Sequence, residues 1–117
     1  MTDWRDEYKK KLVPAEQAVR AVKPGDRVYF GFPPQPTLLS AALAARRHEL
    51  DGVEMLLENP RVDDGWLEGG GRQAFNVVME FYIGPVMRRW TDQKRADFLP
   101  LVFSLEHKLH RERPTED

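Results

Sequence analysis

The sequence contains no cysteine, which excludes disulfides, thiolate metal sites and a thiol nucleophile. No apolar run approaches the ~20 residues that a membrane-spanning helix needs, and the first residues are too polar for a secretory signal. Neither sign of charge dominates, because 18 Lys and Arg stand against 19 Asp and Glu. We therefore expect a cytoplasmic protein with no general attraction to nucleic acid or to a membrane.

Apolar residues make up 41% of the 117 residues, which is typical of a globular protein rather than a disordered one. A chain of this length supports one domain with a moderate core. We therefore treat residues 1–117 as a single domain.

The stretch from Val22 to Leu43 organises the prediction. Residues 27–32 have the β-branched and aromatic content of a buried strand, and a proline-rich loop follows them. The Thr37 hydroxyl is suited to cap the next helix, whose predicted apolar face carries Leu38, Leu39, Ala42 and Leu43. Ligands of open α/β sheets lie where a strand ends in such a loop, and free N–H groups there favour negative charge.

Three more apolar segments, 53–58, 75–83 and 96–103, predict strands, and Pro100 favours an edge or a bend for the last. Helices are predicted from Asp3 to Leu12, from Pro14 to Val22, from Gly84 to about Lys94, and from a Ser104 cap to about Arg111. Strand, helix and strand in this order imply a parallel pair with a right-handed crossover. The pattern therefore predicts an α/β domain.

Trp4, Tyr8 and Leu12 form an apolar stripe on the first helix. We interpret the stripe as packing against the domain, and the alternative is a docking face for another chain. The segment from Arg61 to Arg72 ends in three glycines, which could approach a phosphate. It is not a P-loop, because no Lys-Ser/Thr follows, and we interpret it as a mobile connector.

Few residues suggest chemistry by themselves. His107 and His110 are three apart on a helix, but no third ligand is apparent, so we interpret them as solvated rather than metal-binding. Glu80 lies in an apolar strand, so it either faces water or is buried and paired; a general base is the sharper alternative.

A basic cluster follows the third strand, and it consists of Arg88, Arg89, Lys94 and Arg95. This cluster is either a solvated helix face or a contact for an anionic ligand. The residues alone therefore indicate a loop-to-helix anion site without a complete catalytic set.

Several motifs, in order, resemble the amino-terminal region of the acetyl-CoA hydrolase/transferase family, which includes 4-hydroxybutyrate CoA-transferase-like proteins. The matching segments extend across nearly the whole chain. They are Trp4 with Tyr8–Leu12, Ala18-Val19, Lys23–Val28, Gly31 with Pro36, Leu39 and Ala42-Leu43, Gly84-Pro85 with Arg88, and Arg95–Phe98 with Pro100.

The resemblance implies half of a CoA-transferase-like fold of the NagB/RpiA type, with a mainly parallel sheet and flanking helices. It implies coenzyme A as a substrate, acyl-CoA and a carboxylic acid as ligands, and no metal. The family's nucleophilic glutamate lies in its carboxyl-terminal half, so we expect no catalytic residue in this chain. The implied substrate loop, whose backbone N–H groups would face the thioester oxyanion, is Gly31, Phe32, Pro33, Pro34, Gln35, Pro36 and Thr37, and Arg88 is a candidate anion contact.

Two departures from the family pattern matter. Pro33 and Pro34 remove two N–H donors from the loop, and Lys94 stands where the family usually has glycine. The leading hypothesis is an amino-terminal domain or small subunit of a CoA-transferase or acyl-CoA hydrolase, completed by a second chain or a homo-oligomer. The alternatives are a non-catalytic module that binds CoA or another anion, and a scaffold subunit.

Overall fold

A computed structural model of the chain describes residues 3–31, 35–58, 60–80 and 84–112. Within these residues, four parallel strands form one sheet in the order β1-β2-β3-β4. The strands are β1 (Arg27–Phe30), β2 (Val53–Leu57), β3 (Phe75–Met79) and β4 (Asp97–Phe98). The predicted α/β class with a mainly parallel sheet is confirmed.

Six α-helices flank the described strands, some extended by a 3₁₀ turn. They are α1 (Trp4–Lys11), α2 (Ala15–Ala18, then Val19–Ala21 as 3₁₀), α3 (Thr37–Ala45, then Arg46–His48 as 3₁₀), α4 (Gly71–Ala74), α5 (Pro85–Asp92) and α6 (Glu106–Glu112, after Phe103–Leu105 as 3₁₀). None of the helices within the described ranges is long and apolar enough to cross a lipid bilayer.

One face of the sheet, which we call the helix face, carries most of the core. Alternate residues of β2 and β3, such as Met55 and Val77, are buried there against Leu43 of α3 and against Met87 and Trp90 of α5. The alternation follows from the two-residue period of a strand. Burial on this face supplies most of the hydrophobic stabilisation.

The other face of the sheet, which we call the opposite face, carries Tyr29, Leu56 and Val78 side by side in register. Leu56 and Val78 are buried, although neither belongs to the core on the helix face. Two residues further along each strand, Glu58 and Glu80 are in phase with them. The opposite face therefore leads directly to two carboxylates at the ends of β2 and β3.

The predicted apolar face of α3 is wrong in detail. Leu38 is 78% exposed and Leu39 is 39% exposed, whereas Ser40, Leu43 and Ala44 are buried. The buried stripe thus has the same helical spacing but is rotated around the helix axis. The predicted cap is also wrong: Pro36 occupies the N-cap position, no side chain caps the helix, and Thr37 is its first residue.

The prediction that Trp4, Tyr8 and Leu12 pack against the domain is wrong. Their exposed fractions are 68%, 58% and 64%, and α1 has no buried residue. The spacing predicted the helix but not what covers it, because an apolar stripe has the same sequence pattern whether its partner is the same chain or another. The Asp3 cap is confirmed, since its Oδ1 accepts from the Arg5 N–H at 3.0 Å.

The predicted mobile connector is instead anchored in the core. Trp66 is fully buried between Phe30 and Phe75, with ring centroids 6.0 Å and 4.7 Å away in edge-to-face contacts. The last residues of the segment begin α4 at Gly71. The glycines thus form a tight turn next to the buried Trp66, and nothing in this arrangement indicates a phosphate-binding site.

Strand lengths were overestimated. β2 ends at Leu57 and β3 at Met79, and β4 has two residues where eight were predicted. Pro100, expected to favour an edge or a bend, follows this short edge strand. Residues 81–83 of the predicted third strand lie outside the described residues. Ser104 lies inside a 3₁₀ turn rather than at a helix cap.

Candidate functional site at the carboxyl ends of the strands

Five polar side chains meet where β1, β2 and β3 end. Glu58 and Glu80 directly follow β2 and β3, Tyr29 is in β1, and Glu106 and His110 reach them from α6. Together these five residues are called the carboxylate cluster. The carboxyl ends of parallel strands are the usual place for ligands in an open α/β sheet.

The Tyr29 hydroxyl links two of the carboxylates. It lies 2.5 Å from Glu106 Oε1 and in hydrogen-bond contact with Glu58 Oε1. A phenol has one proton, so it donates to one carboxylate at a time. Burial, with the hydrogen bonds to Glu106 and Glu58, raises the pKa of Tyr29 above its usual 10.0. Tyr29 is therefore a hydrogen-bond donor here and not a base.

Glu58 is 6% exposed, and its Oε2 has no hydrogen-bond partner among the residues that the structure describes. Burial raises the pKa of Glu58 above its usual 4.5, the Tyr29 hydrogen bond lowers it, and the charges of Glu106 and Glu80 raise it. The net direction is upward because removal from water disfavours the charged form.

Glu80 is fully buried, and its Oε2 lies 3.2 Å from His110 Nε2. From the sequence, Glu80 either faces water or is buried and paired, and the second alternative is confirmed. His110 Nε2 also lies 3.8 Å from Glu106 Oε1, and the His110 ring meets the Tyr29 ring edge-on at 5.3 Å. The interpretation of His110 as a solvated residue is therefore wrong, whereas His107 is exposed as expected.

The predicted substrate loop borders this cluster. A Cβ placed on Gly31 would lie 3.3 Å from the Tyr29 ring, so the first loop residue packs against a member of the cluster. Phe32, Pro33 and Pro34 lie outside the described residues. The loop's described end, Gln35–Thr37, leads into the amino terminus of α3.

The side chain of Gln35 forms hydrogen bonds with two polar residues. Its Nε2 donates to Ser40 Oγ at 2.6 Å and to Asp64 Oδ2 at 3.0 Å, and the Ser40 hydroxyl donates to Asp64. Ser40 is fully buried. The amide nitrogen of Gln35 thus anchors the loop to Asp64, in the segment from Arg61 to Arg72, whereas its Oε1 has no hydrogen-bond partner among the described residues.

The four basic residues predicted as a cluster differ in their contacts. Arg89 pairs with Asp63, and Arg95 donates to the Leu67 carbonyl. Lys94 has a φ of 53° in the turn after α5. Arg88 is exposed, and its guanidinium has no hydrogen bond or ion pair within the described part of the chain. Arg88 and Lys94 therefore keep their side-chain charges uncommitted within the described residues, and Arg88 is the one that the sequence predicted as an anion contact.

Sequence reasoning missed Tyr29, Glu58 and Glu106. A signal for Glu58 was available, because a lone carboxylate directly after an apolar strand occupies the ligand-facing edge of a parallel sheet. Tyr29 and Glu106 carried no comparable signal, since their approach depends on where α6 packs.

A cleft of about 480 Å³ lies between α2 and α3. Ala15 and Val19 line one wall, Leu38 and Ala42 the other, and Arg20 and Glu49 contribute charges. None of the described loop residues (Gly31 and Gln35–Thr37) or members of the carboxylate cluster lines it.

Two curated proteins match this chain. The succinyl-CoA:cyclohexane-1-carboxylate CoA transferase of Geobacter metallireducens is 32% identical over 110 residues, which are 93% of this chain and 25% of that protein. The butyryl-CoA:acetate CoA-transferase of Anaerostipes caccae is 28% identical over 109 residues, which are 86% of this chain and 23% of that protein.

This chain is similar in sequence to part of two CoA-transferases. It spans about a quarter of the length of the curated relatives that it matches. No protein-family model matches it. The resemblance to CoA-transferases expected from the motifs is thus confirmed, and it concerns only part of those proteins.

Solved structures agree on the fold of this chain. The crystal structure of RipA from Yersinia pestis matches 95% of the chain with a TM-score of 0.74 at 20% identity, and 28% of RipA is covered. A point-mutant structure of RipA matches with a TM-score of 0.76 at 21% identity. At these identities the likeness concerns the fold alone.

Proposed function

We propose that this chain forms the amino-terminal part of an acyl-CoA:carboxylate CoA-transferase or an acyl-CoA hydrolase, as a single domain over residues 1–117. The observation that carries the proposal is the 32% identity to a CoA transferase over 93% of the chain. The substrates are then an acyl-CoA and, for a transferase, an acceptor carboxylic acid. The chain does not catalyse the reaction alone.

In the reaction that the family resemblance implies, a glutamate of the remaining half or of a partner chain attacks the thioester carbonyl. The CoA thiolate leaves and an acyl-glutamyl anhydride forms. The thiolate then attacks the glutamyl carbonyl, which releases the carboxylic acid and leaves a glutamyl-CoA thioester. An acceptor carboxylate reverses both steps, or water hydrolyses the intermediate.

The part assigned to this chain is the loop from Gly31 to Thr37. Each attack on a carbonyl places negative charge on its oxygen, and backbone N–H groups aimed at that oxygen stabilise it. Thr37 and the two residues after it have N–H groups without a carbonyl partner inside α3. The hydrogen bonds from Gln35 to Ser40 and Asp64 fix the end of the loop, and they therefore keep the N–H groups at the start of α3 in position.

Arg88 is assigned to the anionic portion of CoA or of the carboxylic acid. Its exposed guanidinium matches phosphate and carboxylate oxygens in geometry. Because such a contact exists in the ground state and in the transition state alike, its loss should raise KM more than it lowers kcat.

The test is reconstitution with a chain that carries the nucleophilic glutamate. Alone, this chain should show no acyl exchange between an acyl-CoA and a ¹³C-labelled carboxylate, and with the companion chain it should. Trapping with hydroxylamine should then modify a glutamate of the companion and none of this chain. Turnover by this chain alone, or modification of its own glutamate, would refute the assignment.

Within the reconstituted enzyme, Arg88→Ala should raise KM for acyl-CoA several-fold with kcat nearly unchanged. Arg20→Ala, which removes an exposed arginine on the turn after α2, is the matched control and should change neither. Equal effects of the two substitutions would mean that Arg88 contributes only general charge.

A non-catalytic module that binds CoA or another anion remains the second candidate, and the free guanidinium of Arg88 favours it. Calorimetry with CoA separates the two candidates. Binding that depends on Arg88, combined with no exchange in the presence of any glutamate-bearing companion, supports the module.

A further inference from the structure

We propose that Glu80, Glu106 and His110 bind one divalent transition-metal ion of the zinc class. The three residues come from the end of β3 and from α6, and they meet over the opposite face of the sheet. Nothing in the proposed CoA-transferase role requires this site, so the two proposals stand or fall separately.

The geometry suits a metal with only small adjustments. One ligand atom from each residue lies within 4.8 Å of the other two. The Glu80 Oε2 to His110 Nε2 distance is 3.2 Å, and the His110 Nε2 to Glu106 Oε1 distance is 3.8 Å. Zinc bonds to nitrogen and oxygen of about 2.0–2.2 Å place tetrahedral ligand atoms about 3.3 Å apart. Glu106, in the first turn of α6, has the furthest to move.

A second observation comes from Glu58, which is not one of the three ligands. Only 6% of Glu58 is exposed to solvent, and its Oε2 has no hydrogen-bond partner among the described residues. Glu58 and Glu106 both contact the Tyr29 hydroxyl, so this carboxylate lies beside the proposed site. A buried carboxylate oxygen without a donor is costly, and a neighbouring cation would offset that cost.

The charge balance also favours a cation. Glu58, Glu80 and Glu106 gather three carboxylates around one imidazole, and Glu80 is fully buried. Even a protonated His110 would leave this group net negative if all three acids were ionised. With a neutral His110 as a ligand, a divalent ion would offset two of these three negative charges.

The ligand types select the metal. Imidazole nitrogen with carboxylate oxygens suits zinc, and cobalt(II) occupies such sites as a spectroscopic substitute. The Tyr29 hydroxyl on Glu106 and the Tyr29 ring against His110 would hold two ligands in place, as outer contacts do in metal sites. Three protein ligands leave a fourth position for water or another group.

The sequence analysis expected no metal because His107 and His110 lacked a third ligand. The structure separates these two histidines: His110 turns toward Glu80, and His107 is exposed. His107 is therefore a matched control on the same helix.

The experiment titrates the metal-free chain with Co²⁺ and follows visible d–d absorption, with Zn²⁺ competition and calorimetry. We expect one Co²⁺ per chain, displaced by Zn²⁺. His110→Asn and Glu80→Gln should each weaken binding by about tenfold or more, whereas His107→Asn should bind as the unmodified chain does.

Protein NMR on the unmodified chain keeps the proposal testable if a variant fails to fold. Zn²⁺ should shift the ¹⁵N resonance of the His110 Nε2, and Co²⁺ should broaden His110 far more than His107. Absence of visible bands at stoichiometric Co²⁺, equal weakening by the His110 and His107 variants, or equal broadening of both histidines would overturn the site. Each of these results would mean that hydrogen bonds between the side chains, and not a metal ion, hold the cluster together.

Discussion

The imidazole of His110 lies 3.2 Å from the fully buried carboxylate of Glu80, and this contact joins the last helix to the end of β3. The two residues are 30 positions apart in sequence. Helix α6 has no fully buried residue of its own, and its described contacts with the sheet include polar contacts with Glu80 and Tyr29 and the edge-on contact of the His110 and Tyr29 rings.

Replacing His110 with Asn should therefore destabilise the chain. The substitution removes a hydrogen-bond partner from a buried carboxylate, which costs about 1 to 3 kcal/mol. Urea unfolding of the metal-free protein measures the change. The same substitution at exposed His107 should alter the free energy of unfolding by less than about 0.5 kcal/mol, and equal losses would contradict the assigned contact.

Stability should fall as the pH rises through the raised pKa of Glu58. A carboxyl group whose pKa is higher in the folded state binds more protons there than in the unfolded chain, so its stabilising contribution is complete below its ordinary pKa of 4.5 and is lost above the folded value. Tyr29, Glu80 and Glu106 face this group.

Glu58→Gln should flatten that pH dependence, because an amide stays neutral throughout. Unfolding free energies measured from pH 4.5 to pH 8 compare it with Glu16→Gln, an exposed glutamate in α2. Identical slopes for the two variants would show that Glu58 carries no raised pKa.

Lys94→Gly should stabilise the chain by about 0.5 to 1 kcal/mol. Lys94 has a φ of 53°, and its N–H and that of Arg95 bond the Thr91 and Trp90 carbonyls, as in a Schellman end to α5. A side chain in this conformation costs about 1–2 kcal/mol, partly offset by the extra entropy of unfolded glycine. Thermal unfolding tests it, and Lys94→Ala should give no such gain because alanine keeps the Cβ.

Gly71→Ala should cost about 3 kcal/mol or more. An added Cβ would overlap the backbone carbonyl of Trp66, with its carbon at 2.7 Å, and backbone cannot rotate away as a side chain can. Gly25→Ala separates this clash from backbone strain, since Gly25 has a φ of 82° but open space around it. Denaturant unfolding should rank the Gly71 variant as clearly the less stable of the two.

Trp4→Ala should leave the unfolding free energy of the isolated chain within about 0.5 kcal/mol of the original. Trp4 is 68% exposed and contacts the Arg5 guanidinium of its own helix. Leu43→Ala, a truncation in the core, should cost about 2 to 5 kcal/mol. A large loss for Trp4 would mean that the stripe packs on the domain after all.

The sequence predicted the elements well where a single strand or helix has a strong local period. It located β1, β2 and β3, the α5 start at Gly84-Pro85 and the Asp3 cap, and the parallel order followed from the alternation of strands and helices. It failed for Leu38 and Trp4, because the side of a helix that is covered depends on neighbours that a local pattern does not specify.

The candidate site was harder to predict for the same reason. The ligand edge of the sheet and Glu80 were identified from the sequence, but the approach of Glu106 and His110 depends on a turn of the chain after β4. Tyr29 carried no signal, since an aromatic residue in a strand is ordinary core material. Chemistry assembled from three strands and a distant helix is visible only once their packing is known.

The strand order β1-β2-β3-β4 means that the chain advances across its sheet in one direction only. Crossovers of one hand between parallel neighbours would put α3 and α5 in the same layer, and residues of both helices belong to the same core cluster. On the opposite face, Arg27 and Glu54 pair at 2.5 Å beside Asn76, and Leu56 and Val78 are buried further along the strands. A sheet that grows in one direction keeps β1 at one edge and β4 at the other, so a further strand would add beside one of these two without rebuilding the interior.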